Sequence, residues 1–312
     1  MIFSYNLIMK RFLLTLILCT AFSVSYAEPS YSAPMDSFKL RIENNRSEKN
    51  TLKQIKALFD LQTKYTNVYD IKGLASLYAD NYVDNDGYTK KVYFKLIQDT
   101  WDTYPDITYK TDIKNIKVNG DYAIVETFET AVATDDEDSE LIAGHGELYS
   151  TATCVYYLKR INDNWLISAE HVVEEQSTLK YGDARFVKME LNAPSLIGAG
   201  EEYTAELKVD LPKDQIVIAS INKERIVQPV KKDNEVFKRL PEEQILERVF
   251  HSNTDNINEY AVASVGITKA EKVDDEFMKV YMNGLAFIIT RVNVVPKNNF
   301  VDIEELNVEQ TK

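Results

Sequence analysis

The spacing of apolar positions changes character twice along this chain. From 51 to 69, Leu52, Ile55, Leu58, Phe59, Tyr65 and Tyr69 recur mostly at intervals of three and four, which predicts an amphipathic helix. A second, shorter helix is expected over 72–79, carrying Leu74, Leu77 and Tyr78. The Asn, Asp and Gly content of 81–88 then reads as a turn or bulge. A third helix over 90–103 has Val92, Leu96, Ile97, Thr100 and Trp101 on one side, and Pro105 stops it. Beyond it the period falls to two. Strands are expected over 107–118 and 122–132, joined by Asn119-Gly120, the strongest short hairpin signal. The acidic run 134–140 is expected to be a loop. Residues 144–173 form two alternating runs around Asn162-Asp163-Asn164, the pattern of a long antiparallel hairpin. In its second run Trp165, Ile167, Ala169 and His171 share one parity and face the helices. Leu166, Ser168, Glu170 and Val172 take the other face.

After Gln176 the pattern is strand-like throughout. The runs FVKMELN, YTAELKV, QIVIASI, RIVQPV, ILERVFH, YAVASVGI and VYMNGLAFIITRVNVV are separated by turn-forming stretches such as Gly198-Ala199-Gly200 and Pro212-Lys213-Asp214. About seven strands at this spacing predict an antiparallel sandwich of immunoglobulin-like type over 181–296, on pattern alone. The expected division is therefore a leader (1–27), a polar tether (28–50), an α+β domain (51–180), an all-β sandwich (181–296) and an acidic tail (297–312).

The leader follows from Lys10-Arg11, an apolar run over 12–21, and Ser25-Tyr26-Ala27, small at both positions a signal peptidase reads. Export to a periplasmic or secreted location is the expectation. The apolar run is too short for a membrane span, and nothing later approaches the ~20 apolar residues one requires. Cys19 raises lipid anchoring, but Leu18 precedes it where lipoprotein signals want Gly or Ala, which argues against it. Cleavage would leave Cys154 as the one cysteine, so packing and not a disulfide must stabilise the exported chain. The formal net charge is −13, and removing Lys10 and Arg11 takes it to −15. With no basic cluster to offset it, that balance works against nucleic acid and anionic membranes as partners.

Three helices followed by about four antiparallel strands resemble the nuclear transport factor 2-like superfamily, which includes ketosteroid isomerases and polyketide cyclases of the SnoaL type. The resemblance is carried by LASLYADNYVDNDG, by TWDTYPDI at the end of the third helix, by the Asn-Gly hairpin and by NDNWLISAEH. It implies an α+β cone, three helices packed on a curved antiparallel sheet, with a pocket at its mouth; enzymes and inert binding modules share that fold. The resemblance places the end of the last long strand at the pocket. There His171 would transfer a proton near neutral pH or hydrogen-bond a bound carbonyl, unless it is a core histidine satisfied by a neighbouring hydroxyl. Asp84 and Asp86 are pocket carboxylates or, alternatively, turn residues bonding their own backbone. Tyr88, Trp101 and Tyr65 would add aromatic walls, or simply core. His145 lacks the further ligands a zinc site needs, and 134–140 lacks the turn glycine and spaced final Glu of a calcium loop. No nucleophile elbow, phosphate loop or dinucleotide fingerprint is present, so no cofactor is expected.

The function expected is an exported two-domain protein whose cone holds a small apolar ligand or a protein partner. The alternative is an isomerase, dehydratase or cyclase using His171 with Asp84. The superfamily's open sheet face commonly pairs two copies, which makes a homodimer a further expectation.

Overall fold

The computed structural model describes residues 36–138, 143–210, 215–227, 236–272 and 278–297. The expected leader with Cys19, the first part of the expected tether, and the tail from 298 lie outside the described residues. Contacts divide the chain into two compact units, Met1–Leu179 and Lys180–Lys312.

The first unit opens with helix α1 (Asp36–Asn67). The expected tether is thus helical from Asp36 onward, as suits a stretch rich in Glu, Lys and Arg with no proline after Pro34. Ile55, Leu58, Phe59 and Gln62 are buried at helical spacing, so α1 presents one stripe to the core. Helix α2 (Ile71–Ala75) is capped by Asp70, whose carboxylate accepts from the Gly73 N–H at 2.9 Å. It is shorter than expected. The chain turns into strand β1 (Tyr78–Asp84), which runs parallel to a later strand, so the first half of the expected 81–88 turn is strand. Local composition hid this, because Asp80 and Asn81 are exposed while Tyr78, Ala79 and Tyr82 sink into the core around them. Tertiary packing outweighs propensity here.

Helix α3 (Lys90–Thr103) has the expected bounds but a shifted face: Tyr93, Phe94, Leu96, Thr100 and Trp101 are buried, and Val92 and Ile97 half-buried. A meander of four antiparallel strands follows: β2 (Thr108–Asn119), β3 (Tyr122–Asp138), β4 (Ala143–Ile161) and β5 (Asn164–Gly182). Gly120 takes φ 59° at the first turn. Asn162 and Asp163 take φ 49° and 63°, the left-handed pair of a tight hairpin turn. The expected acidic loop is mostly strand, since β3 pairs with β4 as far as Asp138↔Ala143.

In the second unit β6 (Lys188–Asn192), β8 (Glu202–Asp210) and β11 (Ile245–His251) form one antiparallel sheet. Strand β9 (Ile216–Arg225) pairs antiparallel with β12 (Glu259–Lys272), which pairs with β13 (Met278–Val295). The short β7 (Leu196–Gly198) and β10 (Lys238–Arg239) add to their edges. Leu191, Leu207, Ile221, Phe250, Val265 and Ile288, drawn from six strands, share one buried core. Of the expected strand RIVQPV only Arg225 belongs to a strand, and 228–235 lie outside the described residues.

Candidate functional site

The inner face of the first unit's sheet is set by alternation. On β3 the inward positions are Val125, Thr127, Glu129 and Ala131; on β4 they are Ser150, Ala152, Cys154 and Tyr156. On β5 the alternation breaks. Trp165 and Ile167 are buried, Ser168 and Ala169 follow as two successive half-buried residues, and then Glu170 and Val172 are buried. The pairing with β1 is irregular at the same place, stepping from Tyr78↔Ile167 to Val83↔Ala169. Such an irregularity exchanges the two faces of a strand. Glu170 and Val172 therefore point inward, and His171 points away from them, the reverse of the simple parity reading.

These inward residues and the helices border a cavity of about 100 Å³, lined among others by Gln62, Tyr78, Tyr93, Glu129, Tyr156 and Val172. A space of that size takes several waters or an organic molecule of a few heavy atoms. Glu129 is its ionisable centre. Its Oε1 accepts from Tyr156 OH at 2.6 Å and from Thr127 Oγ1 at 3.0 Å. The exposed part of this half-buried residue faces the cavity. Desolvation raises its pKa above the usual carboxylate value, and the two hydroxyl donors only partly oppose that.

Glu170 is fully buried and accepts from Tyr82 OH at 3.0 Å. Burial first, then the charge of Glu129, hold its pKa well above the usual carboxylate range. Two carboxyls in one dry site resist ionising together. The tyrosines form the opposite wall. Gln62 Nε2 donates to Tyr78 OH at 2.9 Å, Tyr78 and Tyr93 hydroxyls meet at 3.4 Å, and both phenols are pushed well above their ordinary pKa by burial. Tyr78, Tyr82, Tyr93 and Phe94 contact one another ring to ring at centroid separations of 5.0–5.6 Å.

None of the six residues singled out from sequence lines this cavity. Asp84 is buried and its Oδ1 accepts from the backbone N–H of Asp86 and of Tyr88, at 3.0 and 2.8 Å. It also pairs in register with Glu170, whose pKa its charge helps to raise. Asp86 is half-buried and Tyr88 buried in that same turn. Trp101 is buried, 5.2 Å from the Tyr69 ring. Tyr65 is half-buried on α1 beside Gly73. The legible clue to the cavity lay elsewhere: Glu129 shares parity with Val125 and Ala131, an acid on the apolar face of a strand.

Among the described residues no cluster of three or more His, Cys, Asp or Glu could hold a metal ion. No described helix is long and apolar enough to cross a membrane. No protein-family model and no curated protein sequence matches the chain. Among solved structures, a Novosphingobium aromaticivorans protein provisionally assigned as a scytalone dehydratase is similar over 41% of this chain and 86% of its own, at 15% identity and TM-score 0.34. A provisionally assigned dehydratase of the nuclear transport factor 2-like family from Streptomyces avermitilis covers 40% of this chain and 95% of its own, at 16% identity and TM-score 0.31. A conserved protein from Planctomyces limnophilus covers 39% and 94%, at 14% identity and TM-score 0.34. At these TM-scores the likenesses carry no argument, and both architecture and chemistry stand on this chain's own residues.

Proposed function

We propose that the first unit is a ligand-binding cone of the nuclear transport factor 2-like type, over 51–180, in an exported two-domain protein. Its ligand is a small organic molecule held in the cavity beside Glu129. The second unit, read as an immunoglobulin-like sandwich over 181–296, is the spacer or docking module. The observation that carries the reading is a cavity lined by a carboxyl, an amide and four phenols together with Leu74, Leu96, Ala152 and Val172. Thermal-shift screening of the full chain with small organic molecules tests it, with Ala152→Leu, which fills the cavity, as comparison. If no compound raises the melting temperature of the wild type more than that of Ala152→Leu, the cavity is not a binding site.

The enzyme reading is favoured by one specific observation, the unlike settings of two neighbouring carboxyls. Burial raises the pKa of both, Glu129 at the cavity and Glu170 out of solvent, which suits proton transfer near neutral pH in isomerase, dehydratase or cyclase chemistry. In this reading Glu129 and Glu170 take the roles first given to His171 and Asp84. Its test is a Glu129→Gln variant that keeps ligand binding while losing turnover. A homodimer through the outer sheet face, where Tyr122, Ile124, Val132 and Tyr149 are exposed, belongs to the same proposal, and sedimentation at micromolar concentration decides it.

A further inference from the structure

We propose that the cavity receives a small organic cation, an ammonium group carried on a short apolar body, with Glu129 as its counter-charge. The proposal rests on the cavity reading above and names the class of molecule that reading leaves open.

The hydrogen bonds of the polar lining centre on Glu129. Tyr156 OH is committed to Glu129, as is the Thr127 hydroxyl, and one N–H of Gln62 Nε2 goes to Tyr78. One phenolic hydrogen of the Tyr78–Tyr93 pair, the second N–H of Gln62 and the Tyr109 hydroxyl remain. Against these stands one acceptor open to the cavity. Glu129 takes both its donors on Oε1, which leaves Oε2 for the cavity. A desolvated carboxylate oxygen without a donor is costly, so a molecule bringing two or three N–H groups gains what a carbonyl compound cannot.

Charge points the same way. Of the cavity-lining residues only Lys110 is cationic; it is exposed, and its ammonium group sits 2.8 Å from Asp112. Glu129 has no cation of its own among the described residues. An anionic ligand would meet repulsion here, whereas an ammonium supplies the partner a desolvated carboxylate lacks. Tyr78, Tyr93 and Tyr156 are also among the lining residues, and an aromatic ring attracts a cation stripped of water. The volume of about 100 Å³ limits the body to a few carbons.

The test is calorimetric titration of the full chain with butylamine, butan-1-ol and butyrate, three probes of nearly one shape, at neutral pH and at raised salt to suppress surface binding. Butylamine is expected to bind at least tenfold more tightly than butan-1-ol, and butyrate not at all. Glu129→Gln is expected to remove that preference, while Glu126→Gln, on the other face of β3, leaves it intact. If Glu129→Gln fails to fold, the comparison of the three probes on the wild type still decides. Butan-1-ol binding as tightly as butylamine would overturn the cation assignment and leave the cavity reading standing, as would amine binding that survives in Glu129→Gln. If none of the three probes distinguishes the wild type from Ala152→Leu, both fall.

Discussion

Glu170 sits in an environment far from what its side chain prefers. A fully buried carboxyl, bonded by the Tyr82 phenol and with a second acid beside it, favours its protonated form, and its folded pKa lies well above the unfolded one. Such a group binds its proton more tightly in the folded state. The stability it contributes is complete below the unfolded value and is lost as pH rises through the folded one. Glu129 is shifted in the same direction, and Asp183, held low by Lys269 and Asn283, has finished titrating by pH 5. The urea midpoint is therefore expected to fall between pH 5 and pH 8.5. Glu170→Gln, which imitates the protonated acid, should flatten that fall and stabilise the protein at the alkaline end. A variant no more stable than wild type at pH 8.5 would show that Glu170 is not held neutral.

Between elements, the fold was legible wherever the pattern was local. The 90–103 helix, the Asn119-Gly120 hairpin and the Asn162 turn announce themselves through period and turn chemistry. Strand β1 did not, because its partner lies far along the chain and its exposed middle is polar. Neither did the face exchange on β5, since one irregular step between Ile167 and Glu170 reverses every parity assignment after it. That single step separates His171, which the sequence recommends, from Glu170, which is buried beside the cavity's Glu129. The turn at Asn162-Asp163 carries its own test. Asp163 sits at φ 63°, where a β-branched side chain is strained and glycine is not. Asp163→Gly should be neutral or slightly stabilising, and Asp163→Val should cost about 1–2 kcal/mol. Equal denaturation midpoints for the two variants would contradict a left-handed turn.

At the scale of the whole molecule, charge sets two effects of opposite sign against each other. The chain carries 49 acidic and 36 basic residues, a formal net charge of −13. Exposed ion pairs such as Lys95–Asp99, Lys110–Asp112, Arg160–Asp121 and Arg225–Asp255 lose strength in salt, but such pairs contribute at most about 1 kcal/mol each and often far less. The excess acids repel one another. Two like charges ~20 Å apart in water interact by roughly 0.2 kcal/mol, and an excess of this size makes dozens of such pairs, so the unscreened repulsion is on the order of 10 kcal/mol. Unfolding relieves part of it. Raising salt from 0.01 to 0.15 M shortens the screening length from about 30 to about 8 Å, which removes most of the long-range repulsion while only weakening the short pairs. Sodium chloride should therefore raise the melting temperature, by roughly 2–4 °C for each kcal/mol recovered. A melting temperature that falls with salt would mean that the surface pairs, and not the acidic excess, dominate the electrostatics of folding.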